Sequence, residues 1–256
     1  MSEITSYPAG VPCWIDLASG DIEGSKKFYQ GILGWEAGEP SAEGGGYLMF
    51  LKNGKPVAGC MPMMAEGQPT AWTTYVSVDD ADKTVATARD AGATVFVEPM
   101  DVLDVGRFAV FADPTGAALG VWQPNQFPGA ALANEPGTFV WNELQTRDTE
   151  AAKPFYRTVF AWDANDLTGP MPYTEWKLGE RSVGGMMNMP PAVPAEVPAH
   201  WLVYFGVDDC DATVAQAEAL GATTVAPPMD IPAGRFAVVI DPQGAALGVI
   251  KMNMSS

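Results

Sequence analysis

One histidine, His200, stands in a chain of 256 residues, beside three cysteines and only 14 lysines and arginines against 31 aspartates and glutamates. The formal net charge of −17 argues against a nucleic-acid or anionic-membrane surface, because attraction to phosphate rests on Lys and Arg. The acidity speaks to solubility rather than to fold. Cys13, Cys60 and Cys210 show neither CxxC spacing nor a pairing pattern. That excludes a disulfide or zinc framework and suits a reduced, cytoplasmic protein whose cysteines are small buried hydrophobes. No stretch approaches the roughly 18 consecutive apolar residues of a membrane span. The start, "MSEITSYPAG", has no basic segment leading into an apolar run, so no signal peptide is expected.

What the chain does have is apolar mass. It is 47% hydrophobic and 10% aromatic, enough for a sizeable core and against disorder, and its length allows one large domain or two ordinary ones. It also repeats itself. "GRFAVFADPTGAALGVW" from Gly106 returns as "GRFAVVIDPQGAALGVI" from Gly234, with 13 of 17 positions identical. "WIDLASGDIEGSKKFYQGILGWEA" from Trp14 pairs with "WNELQTRDTEAAKPFYRTVFAWDA" from Trp141, and "WTTYVSVDDADKTVATARDAGATVFVEPMDV" from Trp72 with "WLVYFGVDDCDATVAQAEALGATTVAPPMDI" from Trp201. The offsets are 128, 127 and 129 residues respectively. A duplication of half the chain is therefore the first fact to explain.

Each half divides again. Alternation in "VPCWIDLAS" predicts a half-buried strand. Asp21 is placed to cap "IEGSKKFYQGIL", where Phe28/Ile32 and Tyr29/Leu33 stack at i,i+4, and Gly34 supplies the stop. "YLMFLKN" and "PVAGCMPM" read as strands. The pattern restarts with "TTYVSV", an Asp80-capped helix "ADKTVATARDA" ending at Gly92, and the strands "TVFVEPM", "RFAVFA" and "AALGVW". "DPTG" and "DPQG" fit a type I turn, Asp first, Pro second and Gly fourth. Pro154 falls where the first copy has Lys27, so the second copy's helix is expected to start late or kink. "QPNQFPGAALANEPG" joins the halves, and the Pro-rich "MPPAVPAEVPAH" joins the third and fourth units as a stiff connector.

A βαβββ unit repeated in pairs, with "DIEGSKKFY…LGW" on its first helix, "VDD" after a strand and a "GRFAV…DP.G" hairpin, resembles the glyoxalase/bleomycin-resistance/extradiol-dioxygenase superfamily, the vicinal oxygen chelate fold. The resemblance covers almost the whole chain twice. More narrowly, the chain is similar to tandem glyoxalase-like proteins of actinobacteria, some labelled hydroxylases. It implies an α+β fold: four βαβββ units in two tandem domains, each a cup-shaped mixed sheet with helices outside. The boundaries expected are residues 1–128, a linker at 129–136, and residues 137–256.

Carried over from the family's metal enzymes, the ligand positions fall on Trp14 and Trp141, on Thr73 and Leu202, on Gly120 and Gly248, and near Gly59 and Gly185. None is an imidazole, carboxylate or thiolate, the groups that hold divalent metals in such sites. The resemblance therefore implies the fold without the metal, and no cofactor is expected. Alternation, with residues two apart sharing a face, lines the cups instead with Trp14, Asp16, Thr73, Tyr75, Met61, Met63, Gly120 and Trp122 in one copy. In the other stand Trp141, Glu143, Leu202, Tyr204, Met187, Met189 and Gly248, with His200 at the edge. The glycines are expected to leave room where a metal ligand would stand. Trp35/Trp162 and Trp72/Trp201 are assigned to core packing. Asp16 and Glu143, acidic in mid-strand among apolar neighbours, are costly unless paired or functional; their alternative is a structural ion pair. Arg107 and Arg235, close after Asp101 and Asp230, either pin the hairpin loop or touch a ligand. His200, present in one copy only, is read as incidental or as a proton carrier.

Three functions follow. The first is a metal-free protein binding an aromatic or polycyclic molecule — metabolite, antibiotic or cofactor precursor — in one or both cups, as met in natural-product biosynthesis or resistance. The second is a metal-independent lyase, isomerase or hydroxylase-like enzyme with Asp16 or Glu143 as general base and Tyr75 or Tyr204 stabilising an oxyanion. The third is a true metal-dependent glyoxalase. The only partner expected is the small molecule, with the chain a monomer or homodimer.

Overall fold

A computed structural model describes residues 3–65, 67–169, 172–191 and 193–253. The first half runs β1 (Pro12–Ser19), α1 (Ile22–Leu33), β2 (Glu36–Ala37), β3 (Leu48–Lys52), β4 (Lys55–Pro62), β5 (Ala71–Ser77), α2 (Ala81–Asp90), β6 (Thr94–Val102), β7 (Gly106–Ala112) and β8 (Ala118–Pro124). The second repeats it as β9 (Phe139–Thr146), α3 (Thr149–Phe160), β10 (Asp163–Leu167), β11 (Tyr173–Leu178), β12 (Arg181–Asn188), β13 (His200–Gly206), α4 (Cys210–Ala219), β14 (Thr223–Ile231), β15 (Gly234–Ile240) and β16 (Ala246–Met252). Each half forms one eight-stranded sheet, in the order β2-β3-β4-β1-β5-β8-β7-β6 and its copy β10-β11-β12-β9-β13-β16-β15-β14. In each, two βαβββ units meet where their first strands pair antiparallel, β1 with β5 and β9 with β13. The fold is α+β, in two tandem vicinal-oxygen-chelate-like units.

Every helix begins on an aspartate. Asp21, Asp80, Asp148 and Asp209 accept from the backbone N–H groups of Gly24, Lys83, Ala151 and Ala212 at 2.9, 2.9, 3.0 and 3.0 Å, satisfying donors the first helical turn leaves free. Contrary to expectation, α3 does not start late: it runs unbroken through Pro154. Pro154 and Glu150, whose carbonyl loses its helical partner, both lie on the exposed face, where water can serve that carbonyl. β2 and β10 were not legible, because their residues are exposed and lack alternation. β1 is buried on both faces rather than half-buried.

The two halves share their cores. Phe28, Tyr29, Trp35 and Trp72 pack with Phe205, Val239 and Leu247 of the other half; Phe155, Tyr156, Trp162 and Trp201 pack with Val85, Phe111 and Leu119. Polar bonds follow the same symmetry. The Tyr29 hydroxyl donates to Asp241 at 2.8 Å while accepting from Trp72 Nε1 at 2.9 Å. The Tyr156 hydroxyl donates to Asp113 at 2.7 Å and accepts from Trp201 Nε1 at 3.0 Å. Asp113 and Asp241 are the first residues of the two "DPxG" turns, whose own amides bind the other carboxylate oxygen: Thr115 and Ala117 at 2.7 and 3.1 Å, Gln243 and Ala245 at 2.9 and 2.8 Å. The hairpin thus serves as a latch between halves, which gives its identity in both copies a structural reason.

Candidate functional site

On β1, Cys13, Ile15 and Leu17 alternate with Trp14 and Asp16, and all five are buried. The register places Trp14 opposite Tyr75 and Asp16 opposite Thr73 on β5, and Asp16 beside Gly59 on β4. β9 repeats this with Trp141 opposite Tyr204, and with Glu143 between Leu202 and Gly185. Gly120 pairs with Tyr75 and Gly248 with Tyr204. The structure therefore gathers Trp14, Asp16, Thr73, Tyr75, Gly120 and Trp122 in one cup, and Trp141, Glu143, Leu202, Tyr204 and Gly248 in the other. Met61 and Met187 flank the carboxylate strands, half-buried. Met63 and Met189 lie one residue beyond the ends of β4 and β12; Met189 is buried, and its N–H donates to the Thr146 carbonyl at 2.8 Å.

Two residues that alternation did not reveal complete each floor. Trp14 Nε1 donates to the Tyr47 hydroxyl at 2.7 Å, and Tyr47 and Tyr75 are the phenol neighbours that favour the charged form of Asp16. In the copy, Trp141 Nε1 donates to the Tyr173 hydroxyl at 2.7 Å, and the Tyr204 hydroxyl and Gln145 Nε2 each donate to Glu143 Oε1 at 3.0 Å. Tyr47 and Tyr173 occur in both copies at an offset of 126 residues, the one signal that could have found them.

Both carboxyls are 5% exposed and neither has a cation partner among the described residues, so the ion-pair alternative for them is replaced by a tyrosine pair. Burial pushes Asp16 up to about 7, against the hydrogen bonds of Tyr75 and Tyr47, which hold it down. Burial raises Glu143 as well, against Gln145, Tyr173 and Tyr204. The same burial, with the adjoining carboxylates, holds Tyr47, Tyr75 and Tyr204 well above the ordinary phenol range. Each floor is thus a carboxyl that titrates upward of its usual range, flanked by neutral phenol donors.

The glycines do not leave open space. A Cβ on Gly59 or Gly185 would meet the hydroxyl of Tyr47 or Tyr173, and one on Gly120 or Gly248 would meet the ring of Tyr75 or Tyr204. Tyrosine rings occupy the room expected beside each glycine. A cavity of about 450 Å³ lies elsewhere, between α1 and α4, lined by Leu33, Lys52, Gly137, Asp209 and Gln216 among others. Gly120→Ala and Gly248→Ala are each expected to lower unfolding stability in urea by about 1–3 kcal/mol, the usual cost of overpacking; unchanged stability would show the rings free to yield. Arg107 and Arg235 stand away from the floors. Arg107 grips Asp82 and Asp101 at 2.7 and 2.9 Å, and Arg235 grips Asp211 and Asp230 at 2.5 and 3.2 Å, tying helix starts to hairpins.

Residues 13–121 match the Glyoxalase/Bleomycin resistance protein/Dioxygenase superfamily, and residues 141–250 match the Glyoxalase-like domain. CFP32 of Mycobacterium tuberculosis, a protein carrying a glyoxylase name, is 43% identical over 98% of this chain and 98% of its own. The chain belongs to this superfamily. The anthracycline biosynthesis protein DnrV of Streptomyces peucetius is 38% identical over 97% of this chain and 96% of its own. Among solved structures, the Mn(II)-bound glyoxalase of Novosphingobium aromaticivorans superposes with a TM-score of 0.67 at 17% identity, covering 95% of this chain and 82% of that one. The 2,2',3-trihydroxybiphenyl 1,2-dioxygenase of Sphingomonas wittichii gives 0.67 at 14%, covering 95% and 91%. Such likeness is one of fold.

The donor set here does not fit a divalent ion. The positions carried over from metal enzymes hold Trp14, Thr73, Gly59 and Gly120 and their copies, none a ligand for such ions. Each cup floor offers a single carboxyl whose tyrosine neighbours stay neutral. Among the described residues no group of three His, Cys, Asp or Glu side chains is placed to hold a metal.

Proposed function

We propose that the protein binds a flat aromatic or polycyclic small molecule in a cup, without a metal. The observation that carries this reading is the buried carboxyl flanked by two tyrosines and a tryptophan, Asp16 in one cup and Glu143 in the other. An indole wall offers stacking area, and a carboxyl between phenols offers both donor and acceptor to a ligand's hydroxyl or carbonyl edge. Likeness to a protein named for anthracycline biosynthesis supports the polycyclic class. Three buried, unpaired cysteines suit a reducing, cytoplasmic setting, and among the described residues no helix is long and apolar enough to cross a membrane.

A second reading draws on the raised Asp16. A carboxyl near neutrality is matched to general-base work at physiological pH, so proton abstraction beside a carbonyl or from a phenol is within its reach. Tyr75 or Tyr204 would then shift its hydrogen bond to the developing oxyanion. The protein, treated with chelator, is incubated with polycyclic phenols, conjugated carbonyls and flavin-like heterocycles, and bound and free material are followed by mass spectrometry. Retention of an unchanged molecule is the expected result. A new mass growing with time establishes the enzyme instead, and Asp16→Asn with Glu143→Gln should then abolish turnover while sparing binding. Activity only with added stoichiometric metal would overturn both readings.

A further inference from the structure

The two cups use the same strands but are not filled alike. Over the first, the linker folds back so that Phe127 meets Trp14 edge-on, ring centroids 4.9 Å apart at 89°, and lies 6.1 Å from Trp122. Trp122 Nε1 donates to the Phe127 carbonyl at 2.8 Å, and the Phe127 N–H donates to the Val105 carbonyl at 3.0 Å. The outcome is a closed aromatic layer in which Trp14 and Trp122 are 5% and 8% exposed. In the second half Ile250 stands where Trp122 does, and the same offset sets Ser255, outside the described residues, opposite Phe127. Trp141, the counterpart of Trp14, is half-buried.

The polar walls differ too. Gln145 replaces Ala18 and reaches Glu143; His200 replaces Ala71 and pairs across from Gln145 in the β9–β13 register, on the face that carries Leu202 and Glu143. Gln145 and His200 are both half-buried, so two polar side chains stand at the solvent side of the second carboxyl. The first cup has alanines there.

We propose that the second cup is the ligand site and that the first is a copy closed by the chain's own Phe127. This rests on the small-molecule reading above and narrows it: the ligand presents an aromatic face to Trp141 and a hydrogen-bonding edge to Gln145 and His200. Hydroxyl-radical footprinting of the full chain, read by mass spectrometry, tests it with and without a hydroxyanthraquinone probe. Trp141 should oxidise several-fold faster than Trp14, Phe127→Ala should bring Trp14 up to the rate of Trp141, and the probe should protect Trp141 alone. If Phe127→Ala unfolds, Phe127→Val carries the same comparison. Equal oxidation of Trp14 and Trp141 in the wild type, continued protection of Trp14 without Phe127, or probe protection of Trp14 overturns the proposal. Unequal oxidation with no protection by the probe or any other polycyclic phenol upholds the difference between cups and counts against the small-molecule reading instead.

Discussion

Asp16→Asn should make the protein more stable than wild type at pH 8 while leaving little difference at pH 4. Burial carries the Asp16 carboxyl from 3.8 up to about 7, whereas in the unfolded chain it titrates near its ordinary value. Between those values the folded protein keeps a proton that the unfolded chain has released. The stability linked to this group is therefore fully present below about pH 4 and is lost as pH rises through 7. A rise of that size corresponds to roughly 4 kcal/mol between the two ends. Asparagine has nothing to release, and its amide oxygen still accepts from one tyrosine hydroxyl. Urea unfolding of both proteins from pH 4 to pH 8 reads the difference directly: the curves should diverge with rising pH, the variant lying above. Parallel curves would mean that Asp16 titrates normally and would remove the basis for its general-base role. Glu143→Gln should move in the same direction, since burial raises Glu143 as well.

A carboxyl at this depth with only neutral partners is expensive, and both copies hold one. That cost, borne at a strand position where an apolar residue would pack more cheaply, is the strongest physical sign that the cup floors serve more than the fold. It also separates what the sequence discloses from what it conceals. Trp14, Asp16 and Tyr75 were legible because alternation needs only one strand and a direction for its first residue. Tyr47 and Tyr173 were not, because their place beside Gly59 and Gly185 depends on how β3 meets β4 and β11 meets β12, and register between strands is not written in either strand alone. The glycines do not supply the space expected of them, since their missing side chains are answered by rings from neighbouring strands. Phe127 has no aromatic counterpart in the second copy, so the repeat carries no sign of it. The latch from Tyr29 to Asp241 spans 212 residues, beyond anything local pattern can show, although the turn that anchors it was read correctly.

That latch carries the second large prediction. Asp113→Ala removes acceptors for the Thr115 and Ala117 amides and leaves the buried Tyr156 hydroxyl without its acceptor. Several net hydrogen bonds at about 1 kcal/mol each, plus an unmet buried donor, give a loss of roughly 3 kcal/mol or more. For a chain of this size that is a fall in Tm of roughly 6–12 °C. Asp241→Ala should cost a similar amount through Tyr29. Tyr156→Phe isolates the part that crosses between halves, and a double-mutant cycle with Asp113→Ala should show coupling, since the two groups touch. The two larger cores mix residues of both halves, so a broken latch weakens both halves at once and calorimetry should show one cooperative transition at a lower temperature. Two separated transitions in Asp113→Ala would mean that each half holds itself together, and that the duplicated hairpin is kept for the turn alone.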